Sequence, residues 1–453
     1  MPTRATAQPY VSTTNPPTRP FKSQPRSLPA PAGVSAKSVK SVESAVLSAV
    51  VVVASLGYFV DIYDLILFSI VRVKSLAELG IVDKLAVKTQ GEYLLSMQMG
   101  GMLLGGILWG ILGDKKGRLS VLFGSILMYS LANLANAYVH TLDQYAWLRL
   151  IAGVGLAGEL GAGITLVSES LPKEKRGLGT MIVATVGVSG AMLGYWVGSR
   201  LGWRTAYLVG GGLGLALLAL RVSVFESGMF QRTKESTVAR GNFLALFTNA
   251  ALLGRYLRCL LIGVPLWFVV GILITFSPEF ADALGVRVPA GEPPISAGLA
   301  VFWCYFGLVF GDFFSGGLSQ LLRSRNRALQ LFLGFCTVLV GVYLFGLRGA
   351  TPVFFYGVCF VLGISVGFWA LFVTVAAEQF GTNLRATVAT TAPNFARGAV
   401  VGLVPAFRWA EAHLGGRVTG AAALGGLTLL VAFWAVSTLP ESFGKDLDYN
   451  EPT

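Results

Sequence analysis

The stretch RLIAGVGLAGELGAGITLVSESLPKEKRG, residues 149–177, decides how the rest of the chain is interpreted. It is apolar, rich in small residues and long enough to cross a bilayer as a helix, yet it carries Arg149, Glu159 and Glu169. A charge at the centre of a bilayer costs about 2.5–3.5 kcal/mol on insertion scales, so such side chains usually face a bundle interior or a watery cavity. The glycines of this stretch would let neighbouring helices approach closely. We therefore expect a helix that lines a solute path, with Glu159 at mid-depth.

The composition indicates a membrane protein. Of the 453 residues, 54% are hydrophobic and 13% are charged, whereas soluble globular domains carry about 25% charged residues. The net charge of +12 could suggest nucleic acid, but the basic residues lie in short loops between apolar runs, where they set topology. We therefore expect a lipid bilayer around the chain and no nucleic-acid partner.

The cysteines and histidines give no sign of a metal site or of a catalytic centre. The four cysteines lie inside apolar runs at unrelated spacings, and the two histidines, His140 and His413, fall in predicted loops. We therefore expect no metal, no cofactor and no enzymatic activity.

The chain divides into a polar tail, two sets of apolar runs and a linker. Residues 1–44 are basic and rich in Pro, Ser and Thr, which is typical of a disordered cytoplasmic tail and less typical of a transit peptide. We expect residues 45–224 and 255–438 to form two six-helix bundles, residues 225–254 to be a linker that ends in a helix on the membrane surface, and residues 439–453 to be a cytoplasmic tail. The twelve predicted spans, each near the ~20 residues that cross hydrocarbon, are about 46–71, 92–113, 119–138, 145–170, 178–199, 204–224, 256–280, 296–318, 328–347, 352–376, 387–408 and 418–438.

Basic residues predict the orientation. Basic clusters at residues 115–118, 173–176 and 323–327 follow even-numbered spans, and these loops fall on the side of the basic N-terminal tail. Because positive residues favour the cytoplasmic side, we expect both termini in the cytoplasm and a multi-pass protein of a plasma or inner membrane.

The loop after the second span carries the motif GGILWGILGDKKGR, residues 105–118. Gly110 follows another glycine by one helical turn, and Asp114 is followed by Gly117 and Arg118 in a short turn at the membrane edge. The motif resembles the signature between the second and third helices of the major facilitator superfamily, whose acid and base belong to a charge network that stabilises one face. The resemblance implies gating roles for Gly110, Asp114, Gly117 and Arg118. The alternative is a basic stop-transfer turn, which would need neither the Asp nor the glycines.

A degenerate copy of this motif, GLVFGDFFSGGLSQLLRSRNR, occupies the matching place in the second set of spans, residues 307–327. Gly307 and Gly311 repeat the one-turn spacing, but the Asp–base–Gly–Arg core is missing, so we expect a weaker gate there. Duplication of a six-helix unit is how this superfamily is built, with the solute site between the halves. The resemblance implies an all-α membrane protein of the major facilitator fold, with twelve transmembrane helices in two pseudo-symmetric six-helix bundles.

The stretch at residues 149–177 then resembles the fourth-helix signature of the proton symporters of this superfamily that move sugars, phosphate and organic acids. Arg149 matches all three groups, whereas Glu159 matches the phosphate and organic-acid groups better than the sugar group. Glu169 and Arg176, at the end of the stretch, match the same signature and are expected at a gate.

The first span contains YFVDIYDLILF, with Asp61 and Asp64 three residues apart and therefore at neighbouring points of one helix face. Two carboxylates so close cannot both stay ionised at low cost, so one should be protonated or paired with a cation. In the sugar and aromatic-acid relatives, an Asp here pairs with the fourth-helix Arg to handle the proton. The resemblance implies that Asp61 and Asp64 couple transport to protons and that Arg149 meets Asp64. The alternative is a structural pair that locks the first and fourth helices together.

Asn394 and Arg397 fall near the middle of the eleventh span, in ATTAPNFARG. An Arg here resembles the residue that contacts the substrate carboxylate in aromatic-acid/proton symporters, a task that suits its planar fork. We therefore predict that Arg149, Arg397 and Asn394 bind substrate. Arg397 could instead be an internal counter-ion that pairs with Glu159.

Four further residues are weaker candidates. Tyr305 and Trp369 could line an aromatic substrate pocket together with Trp267, although aromatic residues in membranes often pack or anchor instead. Glu378 and Arg385 are predicted at a cytoplasmic gate, and Glu378 could also be a solvated helix end.

Together these features predict a monomeric secondary transporter that carries a small organic anion with a proton, its coupling ion, by alternating access. In the empty carrier, Arg149 would neutralise Asp64 and Arg397 would neutralise Glu159. An incoming anion would take over an arginine, and the carboxylate left without a partner would capture a proton. Anion and proton would then bind with positive coupling.

Other functions are compatible with parts of this sequence. Proton-coupled uptake of a sugar, a polyol or phosphate is the main alternative. Drug export by antiport is less favoured, because the fifth span lacks the Gly-Pro motif of such antiporters. An intramembrane aspartyl protease is weakly suggested by Tyr63-Asp64 and Gly311-Asp312, but it leaves the six-plus-six duplication unexplained.

Overall fold

The structure, a computed structural model, describes residues 36–116, 118–159, 176–226, 243, 245–445, 449 and 451. The chain forms two compact units, residues 1–45 and 46–453. In the first unit, the described residues 36–45 are helical, and every other described residue belongs to the second unit. The described residues form helices and turns and contain no strand, in agreement with the predicted all-α class.

The N-terminal half contains seven described helices, because the fifth predicted span is two short helices that meet at Ser189. They are α1 (Ala36–Glu78), α2 (Lys84–Lys116), α3 (Arg118–Asn136), α4 (Leu142–Leu156), α5 (Arg176–Val188), α6 (Gly190–Arg200) and α7 (Trp203–Glu226).

The C-terminal half repeats this pattern with more interruptions. Its helices are α8 (Ala245–Thr248), α9 (Ala250–Phe268), α10 (Ser277–Leu284), α11 (Ala297–Leu321), α12 (Arg325–Gly341), α13 (Pro352–Val366), α14 (Trp369–Glu378), α15 (Thr382–Gly398), α16 (Val400–His413) and α17 (Arg417–Thr438). Two π-helical segments, Val269–Ile274 and Val342–Gly346, continue α9 and α12.

The lengths of these helices fit a membrane. Among the described residues, nine helical segments are long and apolar enough to cross a bilayer, and Val121–Asn136 is a shorter apolar helix. The two remaining predicted spans are the fourth and the eleventh. The fourth corresponds to α4, beyond which the chain is described as far as Glu159, and the eleventh corresponds to α15 and α16, which meet at Ala399. Helices therefore lie at all twelve predicted positions.

The start of the second half differs from the predicted boundary. α9 begins at Ala250, inside the segment predicted to lie on the membrane surface. Asn249 sets this start, because its side-chain oxygen accepts hydrogen bonds from the backbone N–H groups of Ala251 and Leu252, at 2.9 and 3.4 Å. The end of the predicted surface helix is thus the first turn of a spanning helix.

Glycines bring equivalent pairs of helices into backbone contact in the two halves. A Cβ built at Gly153 of α4 would lie 2.1 Å from the backbone oxygen of Gln98 in α2. A Cβ built at Gly363 of α13 would lie 1.9 Å from the backbone oxygen of Cys304 in α11. Only glycine fits such crossings, which is the use of small residues that the sequence predicts.

Ion pairs join the two halves at the end where α1 finishes and α2 starts, named here the α1–α2 end. Arg72 of α1 contacts Glu279 of α10 at 2.7 Å, and Lys84 of α2 contacts Asp282 at 2.9 Å. Two further pairs, Lys88 with Glu411 and Arg408 with Glu92, join α2 to α16. The halves are therefore closed against each other at this end.

Candidate functional site

A small cavity lies between the two halves. Its volume is about 10 Å³, close to the room that one water molecule needs. The N-terminal half contributes α1 and α5, and the C-terminal half contributes α9, α11, α14 and α15. The described residues that line it are Tyr58, Ile62, Val188, Leu266, Trp267, Tyr305, Leu308, Trp369 and Arg397.

Arg397, in the last turn of α15, supplies the positive charge of this cavity. Its side chain is fully buried, and none of its guanidinium nitrogens donates a hydrogen bond to the described residues. The closest carboxylate is Asp61, whose Oδ2 lies 3.6 Å from Arg397 Nη2, which is too long for a hydrogen bond. A buried guanidinium whose donors are unused is able to donate hydrogen bonds to an anion.

Two tryptophans form the aromatic wall beside Arg397. The guanidinium carbon lies 5.9 Å from the ring centre of Trp267 and 5.6 Å from that of Trp369. The two rings are 6.0 Å apart at an interplanar angle of 76°. Neither indole N–H has a hydrogen-bond partner among the described residues. The wall therefore presents aromatic faces beside Arg397, with two indole donors that are unused among the described residues.

The local folding of the chain places these side chains. Trp369 is the first residue of α14, directly after the break that ends α13 at Val366. Trp267 lies two residues before the π-helical segment that continues α9, a kind of distortion that is frequent at functional sites. Tyr58 and Tyr305, from opposite halves, close the cavity and are themselves buried.

Asp61 and Asp64 have different surroundings although they lie on one helix. Asp61 faces Arg397 across the boundary between the halves. Asp64 is buried within the N-terminal half near Asn133, and its Oδ1 would lie 2.2 Å from a Cβ built at Gly210 of α7. Neither carboxylate accepts a hydrogen bond from the described residues.

The direct ion pair predicted between Arg149 and Asp64 is not formed in this structure. Arg149 donates to the side-chain oxygen of Gln98 instead, and its guanidinium lies over the ring of Phe68 at 5.2 Å. Arg149 still acts on Asp64 electrostatically. It lies inside the N-terminal half and is not among the residues that line the cavity.

The pairing predicted for Glu159 is wrong. Its carboxylate pairs with Arg221 of α7, not with Arg397, through two contacts, one of them 2.9 Å between Nη1 and Oε2. Both side chains are buried, and Gly57 of α1 leaves room for them, since a Cβ there would lie 2.1 Å from Arg221 Nη2. The signal for Arg221 is present in the sequence, as a basic residue inside the sixth predicted span, 17 positions after Arg204 at its start. Tyr58 is likewise a cavity residue that the sequence does not predict.

Asn394, predicted to bind substrate, joins the two halves in this structure. Its side-chain nitrogen donates to the backbone oxygen of Ala157, at 2.6 Å, and to that of Thr390, at 3.0 Å. It is not among the described residues that line the cavity.

Some of the predicted gate residues lie away from the cavity, and the others lie outside the residues that the structure describes. Glu378 pairs with Arg325 at 3.2 Å and accepts a hydrogen bond from Ser442 at 2.8 Å. Gly110 lies against Thr391, and Arg385 is near the start of α15. Gly117 and Glu169 lie outside the described residues, as do the side chains of Asp114, Arg118 and Arg176.

The family model of the Major Facilitator Superfamily matches residues 44–405 of the chain. The chain belongs to the Major Facilitator Superfamily. One relative is the 3-(3-hydroxy-phenyl)propionate transporter of Escherichia coli (strain K12), 28% identical over 378 residues, which are 80% of this chain and 87% of that protein. Another is the niacin transporter NiaP of Acinetobacter baylyi, 25% identical over 325 residues, 66% of this chain and 73% of that protein.

A solved structure of the same superfamily shares the fold. It is the proton:xylose symporter XylE bound to 6-bromo-6-deoxy-D-glucose, with a TM-score of 0.65 at 15% identity. The match covers 89% of this chain and 98% of that chain. The predicted superfamily and its fold are thereby confirmed. The protein is an integral, multi-pass membrane transporter and not an enzyme, so the protease hypothesis is excluded.

Proposed function

We propose that this transporter moves a small aromatic carboxylate across the membrane together with a proton. The observation that carries the proposal is Arg397, a fully buried guanidinium with no hydrogen-bond partner among the described residues, set between two tryptophans. The superfamily relatives named for niacin and for 3-(3-hydroxy-phenyl)propionate support it, because both of those compounds are aromatic carboxylic acids.

The carboxylate of the substrate binds at Arg397. The planar guanidinium can donate two parallel hydrogen bonds to a carboxylate, which fixes the position and the orientation of the ligand. Trp267 and Trp369 flank the guanidinium, so an aromatic ring attached to that carboxylate would pack against their faces. Their indole N–H groups supply further donors to the anion.

Binding of the anion changes the surroundings of Asp61. Arg397 is the one cation within 4.0 Å of the Asp61 carboxylate among the described residues. When the substrate takes over that guanidinium, Asp61 becomes a buried carboxylate without a counter-charge and captures a proton. Anion and proton then bind with positive coupling, and each raises the affinity for the other.

Asp64 and Glu159 extend the proton path on either side of Asp61. Both carboxylates are buried, and electrostatic interactions link Asp61 to each of them. With the charges neutralised, the two halves rock about the site and expose it to the opposite side, with both termini in the cytoplasm. The cavity of about 10 Å³ must widen for this, because a benzoate-sized ligand does not fit it.

The experiment that tests this proposal measures uptake of labelled benzoate by the purified protein in liposomes, with and without an inward proton gradient. We expect accumulation that requires the gradient. Replacing Arg397 by Gln should lower uptake at least ~30-fold, because loss of one partner of a buried charge pair costs about 2–5 kcal/mol. Arg204→Gln is the matched control, since Arg204 pairs with Glu78 near the surface and does not line the cavity, and it should transport normally. Competition by hexoses without competition by aromatic acids would favour sugar uptake instead.

A further inference from the structure

Asp312 of α11 is a buried carboxylate that the proposed coupling mechanism does not use. It is 4% exposed, while the next two residues, Phe313 and Phe314, are exposed on the outside of the helix. Among the described residues, no cation lies within 4.0 Å of it. A carboxylate inside a membrane protein without a counter-charge is costly, so its presence needs an explanation.

Part of the explanation is structural. Asp312 Oδ1 accepts a hydrogen bond from the backbone N–H of Ala370, at 3.0 Å, and so caps the start of α14. This cap holds the helix that begins with Trp369, directly after the break in the tenth span. An uncharged Asn or Ser caps a helix as well as Asp does, so the cap accounts for an oxygen acceptor but not for the charge.

The second oxygen of Asp312 is free. Oδ2 is buried and accepts no hydrogen bond from the described residues. Tyr305, Leu308 and Asp312 are spaced three and four residues apart, so they share one face of α11, and the first two line the cavity. Asp312 also acts electrostatically on Tyr58, as do Arg397 and Asp61. Asp312 is therefore on the cavity-facing side of α11, one helical turn beyond Leu308, although it does not itself line the cavity in its present closed form.

We infer that Asp312 determines specificity, its free oxygen accepting a hydrogen bond from a donor on the aromatic ring of the substrate. The inference rests on the proposed function, in which Arg397 holds the carboxylate. The preferred substrates are then aromatic acids that carry a ring hydroxyl or a protonated ring nitrogen away from the carboxylate. A site built to hydrogen-bond such a group discriminates strongly against analogues that lack it, because its buried acceptor is left unpaired.

The test compares the affinities of benzoate, 3- and 4-hydroxybenzoate and 4-methoxybenzoate for the full-length purified protein. In the parent, we expect one of the hydroxybenzoates to bind at least tenfold more tightly than benzoate and 4-methoxybenzoate, which has no donor. Equal affinities for all four acids in the parent would overturn the inference without any mutation.

Asp312→Asn then separates the charge from the cap, because the Asn oxygen can still accept from Ala370. We expect the ratio of the methoxybenzoate to the hydroxybenzoate dissociation constant to fall at least tenfold, with benzoate binding changed less than threefold. An unchanged ratio, or equal loss of all four ligands, would show that Asp312 is structural only. Glu292→Gln, a change in an exposed carboxylate of the C-terminal half outside the cavity, should leave the ratio unchanged.

Arg397→Gln distinguishes a failure of the specificity inference from a failure of the proposed function. If it abolishes the binding of every acid while Asp312→Asn leaves the ratio unchanged, the specificity inference fails and the proposed function stands. If the parent binds none of the acids, or if Arg397→Gln binds them as well as the parent does, the proposed function fails and the inference fails with it.

Discussion

Arg72 Nη1 lies 2.7 Å from Glu279 Oε1, and the two residues belong to opposite halves of the transporter. The Arg72 side chain is fully buried, donates a further hydrogen bond to the backbone oxygen of Thr275 and packs over the ring of Phe276 at 4.5 Å. Any motion that opens the α1–α2 end must break this pair. The pair therefore stabilises the closed arrangement of that end.

Removing the charge of Glu279 should favour opening at the α1–α2 end. Glu279→Gln leaves the buried guanidinium of Arg72 without its counter-charge; such a loss costs about 3–5 kcal/mol in a fully buried pair and less here, because the Glu279 side chain is 17% exposed. We expect a single cysteine introduced at the buried Ser277 to react faster with a polar thiol reagent in this variant. Asp282→Asn is the matched control, because its pair with Lys84 is exposed and contributes little to stability. Equal labelling of both variants would contradict a gating role for Arg72.

Asp61→Asn should separate coupling from transport. Because Asn cannot take up a proton, accumulation driven by a pH gradient should fall to the level reached without a gradient, whereas counterflow exchange should continue. Both are measured with labelled substrate in liposomes. Asp143→Asn, an exposed carboxylate at the start of α4, serves as the control. Full accumulation by Asp61→Asn would remove Asp61 from the proton path.

The buried pair of Glu159 and Arg221 should show strong coupling in a double-mutant cycle. Glu159→Gln leaves Arg221 buried and unpaired, and we expect a loss of about 3–5 kcal/mol of stability, seen as a lower unfolding temperature in detergent. The double replacement Glu159→Gln with Arg221→Gln should recover part of the loss, because no uncompensated charge remains. Additive losses would mean that the two side chains do not act as a pair.

Gly153→Ala should prevent normal packing of the N-terminal half. The new Cβ would lie 2.1 Å from the backbone oxygen of Gln98, and a backbone atom cannot move away as a flexible side chain can. We expect little folded protein, measured by monodisperse yield after purification. Gly212→Ala in α7 is the control, since a Cβ there meets nothing within 4 Å and alanine favours a helix by about 1 kcal/mol. A normal yield of Gly153→Ala would mean that α2 and α4 cross less closely.

Glu441, after the last helix, should make stability depend on pH. Burial alone would raise its pKa, but hydrogen bonds from Ser324 and from the backbone N–H groups of Phe443, Arg325 and Asn326 outweigh this and leave the pKa below its ordinary value. A carboxyl whose pKa is lowered by folding stabilises the protein above its unfolded pKa, and this stabilisation disappears as the pH falls through the folded pKa. Glu441→Gln should therefore lower the unfolding temperature at pH 7, and the difference from the parent should shrink on acidification. A difference that is constant with pH would contradict this.

The sequence predicts the features that depend on single helices. The twelve spans follow from apolar length, and the close crossing at Gly153 follows from the spacing of small residues. Arg397, Tyr305 and Trp369, chosen as buried polar or aromatic residues in membrane spans, do line one cavity. These predictions need only the depth of a residue and the face on which it lies.

The partners of the charges could not be predicted in this way. Glu159 pairs with Arg221 and not with Arg397, and this choice depends on how α7 packs and on the space left by Gly57. Arg149 turns to Gln98 because α2 and α4 touch at that level. The start of α14 at Trp369 depends on Asp312, a residue 57 positions earlier in the chain. Each of these choices is made by packing between helices, which no local pattern encodes.

The small volume of the cavity at Arg397 also limits how far water can reach between the two halves at this point. With a volume of about 10 Å³, the cavity has room for about one water molecule. A file of hydrogen-bonded waters therefore cannot run through this cavity past Trp267 and Trp369, so the cavity itself gives protons no continuous chain of waters to follow.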